Sequence, residues 1–200
     1  MSEIDSSATE TKPIVKSPVI RMKMFILTGV FAAFTAVCSI ISIPLPFTPV
    51  PLNLAMLAVF MSGAILGPRF GPLSQIVFLL MGAIGIPVFA NFKAGVGVLI
   101  GPTGGYLVGY VVAALMIGWI NNLYKGRGIR QALVSALAML SGLIICYIFG
   151  VAWLMYLTKT PLAAALLLYA APFIPGDMIK LTAAVLLSGR LAPIVTRSNV

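Results

Sequence analysis

The sequence contains no histidine and only two cysteines, Cys38 and Cys146, which both lie inside apolar runs. Histidine-based catalytic triads and His-ligated zinc are therefore excluded, and a secreted disulfide scaffold is not expected. The phosphate-binding motif G-x-x-x-x-G-K-[ST] is also missing. We therefore expect no metal site and no cofactor in this chain, and we do not expect an enzyme.

Acidic side chains are nearly as scarce. Three of the four, Glu3, Asp5 and Glu10, lie in the N-terminal tail, which leaves Asp177 as the only carboxylate side chain in the last 190 residues. This excludes a mechanism that needs two intramembrane carboxylates, and a lone carboxylate offers little for a proton relay. If the chain moves a solute uphill, the energy must come from something other than this chain.

Apolar residues, by contrast, dominate the chain. Hydrophobic residues make up 60% of it and charged residues 8%, and the mean hydropathy is +1.11. Soluble domains have roughly 45–50% apolar and about 25% charged residues. The thirteen Lys and Arg residues are scattered between apolar runs rather than clustered, so no nucleic-acid partner is expected. The composition predicts an integral protein of the cell membrane with the lipid bilayer as its surroundings.

The apolar runs predict an all-α protein with six transmembrane helices. Residues 1–20 are polar and proline-broken and are predicted to form a disordered cytoplasmic tail, whereas residues 21–200 form a single membrane domain. A hydrocarbon core of about 30 Å needs roughly 20 helical residues. The predicted runs are 24–42, 52–67, 69–86, 104–122, 131–157 and 162–189.

The distribution of basic residues sets the expected orientation. Counted by alternate loops, ten Lys and Arg residues fall on one side, and Lys93 and Lys159 fall on the other. By the positive-inside rule, both termini are predicted to be cytoplasmic. The outer segments 43–51 and 87–104 are apolar but rich in Pro and Gly, so we expect them to fold over the bundle as a lid.

Asp177 and Lys180 are the strongest candidates for function. They lie three residues apart, so they share one helix face, and each costs about 2.5–3.5 kcal/mol in mid-membrane. They form either a mutually neutralising pair or a ligand site, and the site is favoured because a buried ion pair is often no more stable than apolar replacements. Pro172, Pro175 and Gly176 predict that the last helix is kinked or restarted just before the pair.

A second group of candidates lies in and after the outer segment 87–104. Asn91 carries an amide suited to orienting a ureide-like group, while Lys93, Thr103 and Tyr106 supply further polar atoms. Phe89 and Phe92 either wall a pocket or fill the core. Together with the acidic and basic pair, these residues predict a pocket for a small polar ligand.

Four ordered segments of the chain carry a family resemblance. IPLPFTPVPLNLAMLAVFMSGAILGPRFG at 43–71, GIPVFANF at 85–92, GPTGGYLVGY at 101–110 and PFIPGDMIKL at 172–181 resemble the BioY family, the biotin-specific S components of energy-coupling-factor (ECF) transporters. The resemblance covers about residues 24–190. It implies the six-helix S-component fold and high-affinity biotin binding from the outside. It also implies association with a transmembrane T component and two ABC-type ATPases, which use the ATP.

The resemblance also implies roles for individual residues. Asn91, Asp177 and Lys180 are expected to bind substrate, and Lys93 departs from the family pattern, where a small residue is usual. Asp177 is expected to accept from a ureido N–H, and Lys180 to meet either the ureido oxygen or the valerate carboxylate. The expected walls are Phe89, Phe92 and Tyr106, with segment 43–51 as a cover, and Thr103 is a further expected binding residue.

Small residues in the first helix suggest a contact surface. Ala32 and Ala36 form a small-xxx-small pattern, to which the resemblance gives a T-component contact, and Gly29 and Ala33 offer a second register. Packing within the bundle is the alternative.

Two other functions stay open at this point. An autonomous biotin facilitator or channel would need no ATPase partners. A membrane enzyme is a remote option, because Ser62, Ser141 and Ser188 would have to use Lys180 as their base.

Overall fold

The computed structural model describes residues 18–124, 126 and 128–197. Residues 1–17 lie outside this range, so the disordered tail stays a prediction there. Seven α-helices are present in the described residues. They are α1 Pro18–Ile40, α2 Ala55–Ala83, α3 Val96–Leu99, α4 Gly104–Leu123, α5 Ile129–Thr158, α6 Leu162–Tyr169 and α7 Ile174–Arg197. A short antiparallel hairpin, β1 Ser42–Ile43 and β2 Leu52–Asn53, connects α1 to α2.

Five stretches of the described chain are long and apolar enough to cross a membrane. They are residues 21–40, 55–83, 104–123, 129–158 and 162–192. The predicted helical architecture is therefore confirmed, with bounds that differ from the prediction by a few residues. The predicted runs 52–67 and 69–86 both map onto the single element α2, Ala55–Ala83. The number of membrane crossings therefore depends on whether the chain reverses inside that helix.

The helix α2 is interrupted at Gly67. This residue has φ 76° and ψ −171°, a backbone conformation that is essentially restricted to glycine. The two arms fold back on each other, because the Gln75 Nε2 atom donates to Ser62 Oγ at 3.0 Å, whereas these residues would be about 20 Å apart along a straight helix. A side chain at Gly71 would also meet the backbone of Gly63 at 3.1 Å. The chain thus reverses at Gly67, between the predicted runs 52–67 and 69–86, and α2 is a helical hairpin.

Close contacts between helices fill the inner part of the bundle. A side chain at Gly63 would lie 2.8 Å from the backbone oxygen of Ala114, so α2 and α4 pack almost backbone to backbone. Ile117 is fully buried and fits against both Gly63 and Gly142. Phe60 and Met139 are also fully buried, and the bundle therefore has a tightly packed interior at this level.

The first helix presents one face to the bundle and one to the surroundings. Ala32 and Ala36 are 0% and 6% exposed, and Thr35 on the same face accepts a hydrogen bond from Gln75 Nε2 at 3.2 Å. The structure therefore supports internal packing, not a docking surface, for Ala32 and Ala36. The exposed small residues of α1 are Gly29 and Ala33, the second register of the sequence pattern.

The two ends of the bundle carry different elements of the chain. Lys23 Nζ donates to the backbone oxygen of Val195 at 3.4 Å, which places the beginning of α1 and the end of α7 at one end. The turn at Gly67 packs on Gly118, near the end of α4. The hairpin β1–β2, the segment 84–103 and the beginning of α7 lie at the opposite end, where the chain forms a cavity.

Candidate ligand-binding site

A cavity of about 400 Å³ lies at the end of the bundle that carries the hairpin and the segment 84–103. Pockets for small ligands typically measure about 300–1,000 Å³. The wall is built from the end of α1, the hairpin, the segment 84–103, and residues of α2, α4, α5 and α7. Pro49, Val50 and Pro51 line it from the hairpin, so segment 43–51 lies against the cavity as expected.

The beginning of α7 places the two charged candidates. Helix α6 ends at Tyr169, a 3-10 turn covers Ala171–Phe173, and α7 begins at Ile174, which confirms the predicted restart. Pro175 fits there because its missing N–H is not needed in the first turn of a helix. Asp177 falls in that first turn, where the positive end of the helix dipole stabilises a carboxylate.

Asp177 and Lys180 form a buried ion pair that lines the cavity. Lys180 Nζ lies 2.8 Å from Asp177 Oδ1, and the two residues are 8% and 5% exposed. Tyr147 of α5 donates its hydroxyl to Asp177 Oδ2 at 2.5 Å. The carboxylate therefore accepts from a cation and a neutral donor, and all three side chains border the cavity. The pair is not sealed in an apolar interior, so both groups are accessible to a ligand in the cavity.

The segment 84–103 brings Asn91 and Lys93 to the cavity. Asn91 has φ 57° and donates its backbone N–H to Ser42 Oγ at 3.0 Å, which fixes the segment to the hairpin. The Asn91 Nδ2 atom donates no hydrogen bond within the described part of the chain. The backbone N–H of Phe89 donates to the Lys93 carbonyl at 3.1 Å. This closes a tight loop, and both Asn91 and Lys93 line the cavity.

Two of the predicted aromatic walls are present. Phe89 is 1% exposed and packs edge-on against Phe78 at 5.5 Å between ring centroids. It fits over Gly82, where any side chain would overlap its ring. Tyr106 donates its hydroxyl to the Tyr169 carbonyl at 2.6 Å, so this polar atom is satisfied while the residue lines the cavity.

Of the remaining two candidates, Thr103 and Phe92, only Thr103 lines the cavity. Thr103, the residue before α4, lines the cavity. Phe92 does not line it, and 68% of its surface is exposed. The structure therefore does not place Phe92 in the cavity wall, in contrast to the prediction.

Sequence reasoning missed Asn53, Tyr110 and Tyr147, which all line the cavity. The Asn53 Oδ1 atom also accepts a hydrogen bond at 3.1 Å from the backbone N–H of Ala55, the first residue of α2. Each is a polar group in or beside a long apolar run. A polar group in such a run could have identified them as lining residues, but an isolated Tyr in an apolar run more often packs in a core.

A solved structure shares this fold. The crystal structure of the S-component for biotin from an ECF-type ABC transporter matches with a TM-score of 0.77 and 28% identity, over 88% of this chain and 93% of that one. The apolar helices and this fold together define a multi-pass cell-membrane protein of the S-component class, and therefore a transport protein and not an enzyme.

The sequence comparisons identify the family. The model of the BioY family matches residues 9–197. The biotin transporter BioY of Thermotoga maritima is 41% identical over 85% of this chain and 96% of its own length. The probable biotin transporter BioY of Pyrococcus horikoshii is 37% identical over 82% and 93%. The chain belongs to the BioY family, and the resemblance drawn from its four sequence segments is confirmed.

Proposed function

We propose that this chain is the substrate-binding S subunit of an ATP-driven ECF importer and that it binds biotin from the outside with high affinity. The observation that carries the proposal is the buried pair Asp177–Lys180 at the wall of a cavity of ligand size. The similarity to proteins named biotin transporters and to a biotin S-component selects biotin among small ureide-like ligands.

The ion pair matches the ureido edge of biotin. A ureido ring has an N–H donor next to a carbonyl acceptor. Asp177 Oδ1 and Lys180 Nζ lie side by side at 2.8 Å and offer an acceptor and a donor in the complementary order. Asp177 then accepts from the ureido N–H, and Lys180 donates to the ureido oxygen. Both bonds are charge-assisted, and they form at buried side chains, where such bonds are strong.

Neighbouring residues complete this binding mode. Tyr147 holds the second carboxylate oxygen of Asp177 and so fixes the direction of the first. The free amide N–H of Asn91, which also lines the cavity, orients the same ring. Phe89 and Tyr106 contact the apolar thiophane body, whose burial contributes roughly 25 cal/mol per Å².

We further propose six membrane crossings with both termini in the cytoplasm. The two arms of α2 each count as one short crossing, because the chain reverses at Gly67. The contact of Lys23 with Val195 brings both helical termini to one end, and the excess of basic residues assigns that end to the cytoplasm. The cavity at the other end then opens to the outside.

The energy for transport is proposed to come from partner proteins. We propose that the chain associates with a transmembrane T component and two ABC-type ATPases, which bind the ATP, since this sequence has no phosphate-binding loop. Gly29 and Ala33 on the exposed face of α1 allow close helix approach and are the proposed T-component contact.

A binding titration tests the proposed ligand. The purified chain in detergent is expected to bind biotin at one site with a Kd below about 1 µM, which corresponds to about −8.2 kcal/mol. Thiamine, a vitamin without a ureido group, serves as the control and is expected not to bind. No calorimetric signal with biotin at millimolar concentration would contradict the proposed function.

Tyr147→Phe tests the support of the carboxylate. The variant removes the donor to Asp177 Oδ2, and a hydrogen bond to a charged group contributes about 1.5–3 kcal/mol. We expect biotin affinity to fall roughly tenfold or more by the same titration. The matched control is Tyr156→Phe in the same helix, because Tyr156 is 68% exposed and does not line this cavity. Equal affinities of the two variants would contradict the role of Tyr147.

A further inference from the structure

The charges that line the cavity do not balance. Three charged side chains lie in its wall, namely Asp177, Lys180 and Lys93. Asp177 and Lys180 neutralise each other at 2.8 Å, and Asp177 is the only acidic residue of the described chain. Lys93 is therefore left as an uncompensated cation, and the cavity carries a net charge of +1. A ligand with one negative charge restores neutrality.

Lys93 occupies a fixed position at the mouth of this cavity. Its side chain is exposed although it lines the cavity, and its Nζ atom makes no hydrogen bond or ion pair within the described residues. The backbone around it is held in place, because the Lys93 carbonyl accepts from Phe89 N–H at 3.1 Å and the neighbouring Asn91 is tied to Ser42 at 3.0 Å. The ammonium group is thus free to bind a ligand atom near the outer opening.

The ion pair cannot readily serve both ends of biotin. Asp177 and Lys180 are one helical turn apart and in contact, so a ligand group that engages one of them lies against the other. An extended molecule with its ureido ring on the pair places its carboxylate several ångströms away. A carboxylate within reach of a cation gains a charge-assisted hydrogen bond. The remaining cation in the wall is Lys93.

We propose that Lys93 binds the valerate carboxylate of biotin and thereby selects the free acid over neutral derivatives. This proposal rests on the proposed function and specifies its binding mode. The ureido ring points inward to Asp177 and Lys180, and the tail points outward to the mouth. Lys180 then contacts the ureido oxygen and not the carboxylate.

The test compares biotin with biotinamide, which has the same ring and a neutral carboxamide tail. The wild-type chain is expected to bind biotin at least tenfold more tightly than biotinamide, a difference of about 1.4 kcal/mol. In Lys93→Gln, biotin affinity is expected to fall to the level of biotinamide, while biotinamide affinity changes less than twofold. Lys93→Arg is expected to retain most of the discrimination.

Lys159→Gln is the matched control. Lys159 follows α5, is exposed, and lies over the Tyr156 ring rather than in the cavity wall, so both affinities are expected to stay unchanged. An equal loss for both ligands in Lys93→Gln would overturn the proposal, because it would indicate a general effect on the loop. Unchanged discrimination in that variant would overturn it as well. Wild-type protein that binds neither ligand would instead contradict the proposed function itself.

Discussion

Asp177→Asn is expected to weaken biotin binding by at least a hundredfold, or about 2.7 kcal/mol. Truncation of one partner of a buried, hydrogen-bonded charge pair typically costs about 2–5 kcal/mol. Asparagine keeps the size of the side chain but removes the anionic acceptor for the ureido N–H. It also leaves Lys180 without its only carboxylate. Lys180→Met is expected to lose a similar amount, and both are measured by titration of the purified variants.

A double variant separates binding from folding. Loss of one charge leaves the other buried and unpaired, which destabilises a protein by about 3–5 kcal/mol, whereas apolar replacement of both is often neutral. Asp177→Leu combined with Lys180→Met is therefore expected to unfold near the wild-type temperature and still fail to bind biotin. Wild-type affinity in this double variant would show that the ligand binds elsewhere.

The residues that could be predicted from the sequence are those with a local signal. Asp177 and Lys180 stand out because charge is costly in an apolar run, and their spacing alone places them on one face. The restart of the last helix follows from Pro172, Pro175 and Gly176, whose backbone constraints act within a few residues. The turn at Gly67 is predictable for the same reason, since only glycine readily adopts its φ of 76°.

The parts that could not be predicted depend on how distant segments pack. Tyr147 reaches Asp177 across 30 residues, and nothing in α5 indicates which of its faces meets α7. Phe89 and Phe92 look equivalent in the sequence. In the structure, however, Asn91 and Phe92 both have φ 57°, so the backbone turns between the two aromatic residues. Phe89 is buried, whereas Phe92 is exposed.

The small residues of α1 also show that the sequence of one helix does not predict which of its faces is buried. Two registers of small residues lie on neighbouring rows, and helical periodicity does not indicate which row meets α2. In the structure the row with Ala32 and Ala36 faces inward, and Thr35 on the same face accepts a hydrogen bond from Gln75. Gln75 lies on the second arm of α2, so this outcome depends on the reversal at Gly67.

Transport is expected to require the partner proteins. Proteoliposomes that contain this chain alone are expected to bind labelled biotin at the outer face but not to accumulate it inside. Once the T component and both ATPases are added, ATP-dependent accumulation of biotin is expected. Below the cavity the bundle is filled by fully buried side chains, among them Phe60, Ile117 and Met139, so a fixed bundle offers biotin no open route. A single intramembrane carboxylate also provides no evident proton relay.

The decisive comparison is the rate of biotin entry with and without the partners, followed over minutes with radiolabelled biotin. The complex containing Asp177→Asn is the matched control, since it retains every subunit and the ATPase sites but is expected to transport little at low biotin concentration. Rapid equilibration of biotin by the wild-type chain alone would favour the facilitator. It would also require the packing around Ile117, which fits against Gly63 and Gly142, to open without help. Because Ile117 packs directly onto these glycines and the Gly63 backbone lies almost against that of Ala114, we expect such opening to need work from outside the chain, which is the role proposed for the ATPases.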